Sequence, residues 1–146
     1  MRTFFASTST AGRRNILQSQ RMGTLFVSVL NDNRDKRRML VHEFVVMPDH
    51  VHFLITPSAE HSLEKCMQFI KGGFPFRAKR ELSFPGDVWS AGYNEVRVKS
   101  TAEFEAFRLY IHQNPVKRGL VRLAVEFEFS SATVPMDPAP EHFRRG

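Results

Sequence analysis

Apolar positions along the chain recur first with the period of a strand, then with that of a helix, and the alternation predicts a mixed α+β domain. Thr3–Thr10 predicts a first strand. From Asn15 onward, Met22, Leu25, Phe26, Val29 and Leu30 follow the i, i+3, i+4, i+7, i+8 spacing of one helix face, which stops near Asn31–Asn33. A basic turn from Arg34 to Arg38 leads into Met39–Met47, rich in Val and Phe and read as a strand. Pro48–Asp49 breaks it, and His50–Thr56 follows so closely that the two runs predict an antiparallel hairpin ended by Pro57. Ser62 then caps a helix carrying Leu63, Cys66, Met67 and Ile70, which runs out at Gly72–Gly73 into a basic, irregular stretch reaching Phe84. Asp87–Val98, with Trp89, Tyr93, Val96 and Val98, predicts a fourth strand weakened at Gly92. Ser100 and Glu103 form a capping box for a helix, Ser100–Asn114, with Phe104, Phe107 and Ile111 on its apolar stripe, ended by Pro115 and Gly119.

The order β-α-β-β-α-β-α is satisfied by a ferredoxin-like split β-α-β domain, an antiparallel sheet with its helices on one face. After Ser131 the composition becomes Pro-rich, with Pro135, Pro138 and Pro140, and ends in Arg144–Arg145. This predicts one domain over residues 1–131 and a flexible tail over 132–146.

Composition narrows the classes. With 146 residues, 42% of them hydrophobic and 14 of them Phe, the chain has enough apolar surface for its own core, which excludes wholesale disorder. Its single cysteine, Cys66, excludes an internal disulfide framework and a multi-thiolate zinc module, and is read as core. Lys and Arg number 21 against 15 Asp and Glu, a net charge of +6 that favours nucleic acid as a partner. No window approaches the roughly 20 apolar residues of a membrane span, so a cytoplasmic, membrane-free protein is expected. The acid-free start, with Arg2, Arg13, Arg14 and Arg21, mimics an organelle transit peptide, but its apolar spacing fits a folded strand and helix better.

His50 and His52 are the first candidate chemistry. At i and i+2 of a strand their imidazoles project from one face, close enough to share a divalent ion. Such a pair alone is a weak signal, more often packing than a site, and needs a third ligand. Tyr110 and Asn114 are four apart, about 40° apart round a helix, on the flank of the Phe104/Phe107/Ile111 stripe. Pro115 biases Asn114 away from helical dihedrals.

The strings MPDHVHFLI (Met47–Ile55), VWSAGY (Val88–Tyr93) and YIHQNPVKRGLV (Tyr110–Val121) resemble the single-tyrosine HUH transposases of the IS200-like kind, and most nearly the REP-associated tyrosine transposases of bacteria. The resemblance runs from about Arg2 to Ser131, where Phe129–Ser130–Ser131 is similar to that family's closing motif. It implies that His50, His52 and Asn114 hold a divalent metal, Mg²⁺ or Mn²⁺, and that Tyr110 is the nucleophile. It implies attack on a phosphodiester of single-stranded or hairpin DNA, giving a 5′-phosphotyrosine link and a free 3′-hydroxyl. The chemistry is consistent: tyrosine is a weak nucleophile and a phosphodiester repels it, so both need a cation, and imidazole ligands favour Mn²⁺ over Mg²⁺.

Lys71, Arg77, Lys79, Arg80, Lys117 and Arg118 are the candidates for neutralising DNA phosphates. Trp89, Phe74 and Phe76 are candidates for base stacking, with core packing the better reading of Trp89. Met47 and Pro48 are expected to shape the turn before the site, and His42, His61, His112 and His142 to be ordinary surface or packing residues. A non-catalytic module on the same fold, binding hairpin DNA or structured RNA, is the alternative from another class. A replication-initiator nuclease is weaker, since such proteins carry further segments. Monomer and homodimer both stay open.

Overall fold

Pro48–Asp49 makes the tight hairpin that the sequence predicts. In the computed structural model, which describes residues 1–144, β2 (Met39–Met47) pairs antiparallel with β3 (His50–Pro57), Met47 facing His50 across the two-residue turn. β3 in turn pairs with β1 (Thr3–Ser9), and β1 with β4 (Asn94–Val98), both antiparallel, so the strand order is β2-β3-β1-β4. That is the expected split β-α-β architecture. Three helices complete it: α1 (Gln20–Asp35), α2 (Leu63–Leu82) and α3 (Thr101–Lys117).

Side-chain alternation along β3 divides the core in two. Val51, Phe53 and Ile55 join Phe44, Val46 and Ala6 beneath α1 and α2, where Phe26 stacks on Phe53 and meets Phe74 at a tilt. His50, His52 and Leu54 lie on the other face, where Leu54 packs with Val45, Met47 and Val98 against Phe104 and Ile111 of α3. Helices therefore cover both faces, and the expectation of helices on one face holds for α1 and α2 but not for α3. The reason is that every residue of β3 is buried, and a strand buried on both sides needs a cover on each.

Helix boundaries differ where tertiary packing outweighs local propensity. α2 passes through Gly72–Gly73 and Pro75 to Leu82, because Ile70, Phe74 and Ala78 continue its buried stripe. Pro75 removes one backbone bond, to the carbonyl four residues back, and burial of Phe74 and Ala78 holds the helix together across it. Phe74, fully buried, is core and not a base-stacking surface. α3 likewise runs through Pro115 to Lys117, so Asn114 keeps its helical place, and Gly119, with φ 72°, makes the turn that ends it. α1 starts at Gln20, not near Asn15, because the Ser19 hydroxyl accepts the Met22 N–H at 3.2 Å.

β4 is shorter than the predicted Asp87–Val98. Only Asn94–Val98 pairs, because Gly92 takes φ 77° and turns the chain away, leaving Trp89 in an isolated bridge to Thr10 and packed on Phe26 and Phe74. Trp89 thus packs on the core, as expected.

Residues 132–144, expected as a flexible tail, are packed onto the domain. Ser130 bridges to Val45, the Ser131 N–H donates to the Phe44 carbonyl at 2.9 Å, and the Asp137 N–H donates to the Val41 carbonyl at 2.9 Å. Arg34 grips the Asp137 carboxylate at 2.8 and 3.0 Å, and Phe143 is buried against Phe104. A Pro-rich composition signals disorder only while such partners are out of sight. Among the described residues, no helix is long and apolar enough to cross a membrane.

Candidate active site

β3 sets His50 and His52 side by side on the α3 face of the sheet, their ring centroids 4.7 Å apart. Each ring is held through Nδ1. That of His50 is 2.7 Å from Oδ1 of Asp49, whose other oxygen pairs with Arg13 at 3.3 Å. That of His52 is 2.7 Å from the hydroxyl of Ser7, its cross-strand partner. With both Nδ1 atoms engaged, Nε2 of each ring is the nitrogen left to act as a ligand. Burial, the neighbouring His50 and the charges of Arg118 and Arg13 push the His52 imidazole down to about 3, so it is neutral at pH 7. Burial also lowers His50, with Asp49 opposing.

Helix α3 brings Tyr110 and Asn114 to this face. The Tyr110 ring meets His52 edge-on at 5.2 Å and Phe5 at 5.9 Å, while Phe5 stacks on both His52 and Phe107. Tyr110 is 44% exposed, so its ring is wedged against the site while the residue remains open to a ligand. Asn114, one turn on, is 6% exposed.

Two atoms here are buried with no hydrogen-bond partner: Nε2 of His52 and Oδ1 of Asn114. Buried polar atoms are rarely left so, and both are electron-pair donors, which fits the divalent metal that the resemblance implies. Among the described residues, no three His, Cys, Asp or Glu cluster at metal distance, and a metal held by the two histidines would need a third ligand of another type, such as the buried Asn114 oxygen. A model of the family described as Transposase IS200 like matches residues 7–114, which include all four. The chain belongs to the IS200-like transposase family.

Individual relatives agree with that family. The chain is 25% identical over 130 residues to the REP-associated tyrosine transposase of Escherichia coli, covering 88% of this chain and 75% of the relative. It superimposes with a TM-score of 0.73 on a REP-associated tyrosine transposase bound to a REP hairpin, at 24% identity over 91% of this chain and 78% of the other. A solved structure from Deinococcus radiodurans gives a TM-score of 0.57 at 18% identity, covering 77% and 92%. Both superpositions support the ferredoxin-like fold.

The six basic candidates divide between the two faces of the sheet. Lys117 and Arg118 follow Asn114 at the end of α3, and the charge of Arg118 is felt by Asp49, His50 and His52. Lys71, Arg77, Lys79 and Arg80 belong to α2, across the sheet from the histidines. The Lys71 ammonium donates to the carbonyls of Ser90 and Gly92, tying α2 to the loop before β4. Arg77 spans Glu81 and Ser28, and Arg80 pairs with Glu81 over the ring of Phe76. Lys79 is exposed on the same helix.

Four site residues escaped the sequence reading: Asp49, Ser7, Arg13 and Phe5. Asp49 was within reach, since a carboxylate adjoining a candidate ligand is a ready orienting partner. Ser7, Arg13 and Phe5 become neighbours of the histidines only through the β1–β3 pairing. Cys66 is buried as expected, and burial pushes its thiol up to about 11, which leaves it inert.

Proposed function

We propose that this protein nicks and rejoins single-stranded or hairpin DNA by way of a covalent link to Tyr110. The observation that carries the reading is the pair of buried, unpartnered donor atoms, on His52 and Asn114, beside a half-exposed tyrosine. A Mg²⁺ or Mn²⁺ bound by His50, His52 and Asn114 would supply positive charge for the scissile phosphate. The chain's own residues do the rest. Asp49 and Ser7 orient the imidazoles, and Phe5 and His52 fix the plane of the Tyr110 ring. The Tyr110 oxygen forms the new bond to phosphorus as the bond to the 3′-oxygen breaks, and the phenolic proton is balanced by the one the departing 3′-hydroxyl gains. Arg13, Arg118 and Lys117 contribute positive charge for the strand. That a relative of the same fold is bound to a REP hairpin supports hairpin DNA as the substrate class.

The test is incubation of wild type and Tyr110→Phe with a labelled single-stranded hairpin oligonucleotide and Mn²⁺, read on a denaturing gel. Wild type should give a cleaved strand and a protein–DNA adduct, while Tyr110→Phe should fold, bind DNA and give neither. Cleavage by Tyr110→Phe without an adduct would mean metal-assisted hydrolysis and overturn the reading. An unchanged adduct would place the nucleophile elsewhere.

A further inference from the structure

α3 has little apolar surface to hold it in place. Between its ends only Phe104, Ile111, Asn114 and Pro115 are buried, and an open cleft of about 580 Å³ lies between its Arg108/His112 side and the C-terminal segment. Packing of this kind fixes where the helix lies better than how it is rotated about its axis, yet the rotation decides whether Tyr110 and Asn114 face the histidines.

Phe107, stacked on Phe5 at 4.4 Å, restrains the rotation on one side, and a bulge in β2 supplies a polar constraint on the other. Val41 pairs with Ile55 and Glu43 with Leu54, so His42 is an extra residue in the ladder, and the pleat is re-phased to set Glu43 on the α3 face. There its carboxylate, 14% exposed, takes three donors. His112 Nε2 donates to Oε1 at 2.6 Å, the Ser131 hydroxyl donates to the same oxygen at 2.7 Å, and Arg108 Nε lies 3.3 Å from Oε2. Arg108 and His112 are one turn apart on one side of α3. Tyr110, two residues from each, lies about 200° round the axis from both.

We propose that Glu43 is the positioning residue of this site, a carboxylate clamp that grips α3 from the side away from Tyr110 and sets the rotation that presents Tyr110 and Asn114 to His50 and His52. Ser131, which also accepts the Phe44 N–H at 3.0 Å, keys the C-terminal segment into the same clamp. The activity arm of the test rests on the function proposed above. The structural arm does not.

The chain has two tyrosines, Tyr93 and Tyr110, so protein labelled with 3-fluorotyrosine gives two ¹⁹F resonances, assigned with Tyr110→Phe. In Glu43→Ala the Tyr110 resonance should shift or broaden, since that ring sits against His52 and Phe5, while the Tyr93 resonance stays put and reports an intact fold. Glu43→Gln, which keeps an acceptor for His112 but turns a donor toward Arg108, should fall between. On hairpin DNA with Mn²⁺, adduct formation by Glu43→Ala should slow by about tenfold or more with KM within about twofold, the signature of a misaligned nucleophile. Should Glu43→Ala not fold, the Arg108→Ala/His112→Ala double variant breaks the clamp from the helix side. A Tyr110 resonance superimposable on wild type in a folded, clamp-broken variant overturns the proposal, whether or not wild type cleaves DNA. A moved Tyr110 resonance with no cleavage by wild type keeps the clamp and removes the proposed function.

Discussion

Asp137→Ala tests whether the segment after Ser131 belongs to the folded unit. The carboxylate accepts two bonds from Arg34, at 2.8 and 3.0 Å, and the backbone N–H of Val41 at 2.8 Å, in the stretch where β2 bulges and has no strand on its outer side. Truncation leaves the N–H of Val41, a fully buried residue, without its acceptor, at a cost of about 1–3 kcal/mol. Loss of the bidentate pair, whose side chains are 25% and 18% exposed, adds up to about 1 kcal/mol. The sum, about 1–4 kcal/mol, should lower Tm by roughly 3–13 °C for a chain of this size. Acidity gives a second handle. Burial raises the Asp137 carboxyl, but the Arg34 and Val41 hydrogen bonds outweigh it and hold the group below the ordinary carboxylate range. A group with a depressed folded pKa stabilises fully above its unfolded pKa, about 4, and loses that contribution as pH falls through the folded value. The Tm gap between wild type and Asp137→Ala should therefore be constant from pH 7 to about pH 5 and shrink below pH 4. Calorimetric melts across that range read both effects. A Tm for Asp137→Ala within a degree of wild type at pH 7 would show that the contact stabilises nothing, and the flexible tail read from composition would stand.

Three further outcomes follow from single contacts. Asn114→Ala removes an unpartnered buried oxygen and improves helix propensity, so without metal the variant should melt at or above the wild-type temperature while its Mn²⁺ affinity, measured by calorimetry, drops at least tenfold. A lower Tm with unchanged Mn²⁺ affinity would mean that Asn114 is structural only. His52→Ala should likewise weaken Mn²⁺ binding, and equal affinity in wild type and a His50→Ala/His52→Ala double variant would remove the histidines from any metal site. Gly23→Ala places a Cβ 2.6 Å from two ring carbons of Phe129, so despite a propensity gain of about 1 kcal/mol it should destabilise by about 1–2 kcal/mol net, and a melt at or above wild type would contradict that packing.

The order of elements and the hairpin were legible because each rests on local signals: the Val- and Phe-rich run of Met39–Met47, a two-residue break at Pro48–Asp49, and capping residues at Ser62 and Ser100 that accept the Lys65 and Glu103 N–H as expected. What misled were glycine and proline inside helices. Gly72, Gly73, Pro75 and Pro115 carry real local penalties, but Phe74, Ala78 and Ile111 repay them by contacts that no local window contains. The same blindness made a tail of residues whose partners, Arg34 and Phe104, lie far back in the chain.

For the site, the dividing line is which face of the sheet a residue reaches. His50 with His52, and Tyr110 with Asn114, were readable because each pair is fixed by one element's own period, two in the strand and 3.6 in the helix. Their meeting is not local: it follows from α3 crossing the sheet on the face opposite α1 and α2, and the contact of Tyr110 with His52 expresses it. Charge carries no such parity. Lys71, Arg77, Lys79 and Arg80 read as one basic cluster, yet their helix lies across the sheet from the histidines, and three of the four are engaged by carbonyls or Glu81. Arg13, hidden in a stretch that mimics a transit peptide, is instead joined to His50 through Asp49. Glu43 shows the same limit from the other side. Counted by simple alternation from Val41 it would point toward α1 and α2, where a buried carboxylate has no partner, and only the extra residue at His42 turns it onto Arg108 and His112. One inserted residue in β2 thus converts an apparent core error into the contact that orients the tyrosine helix.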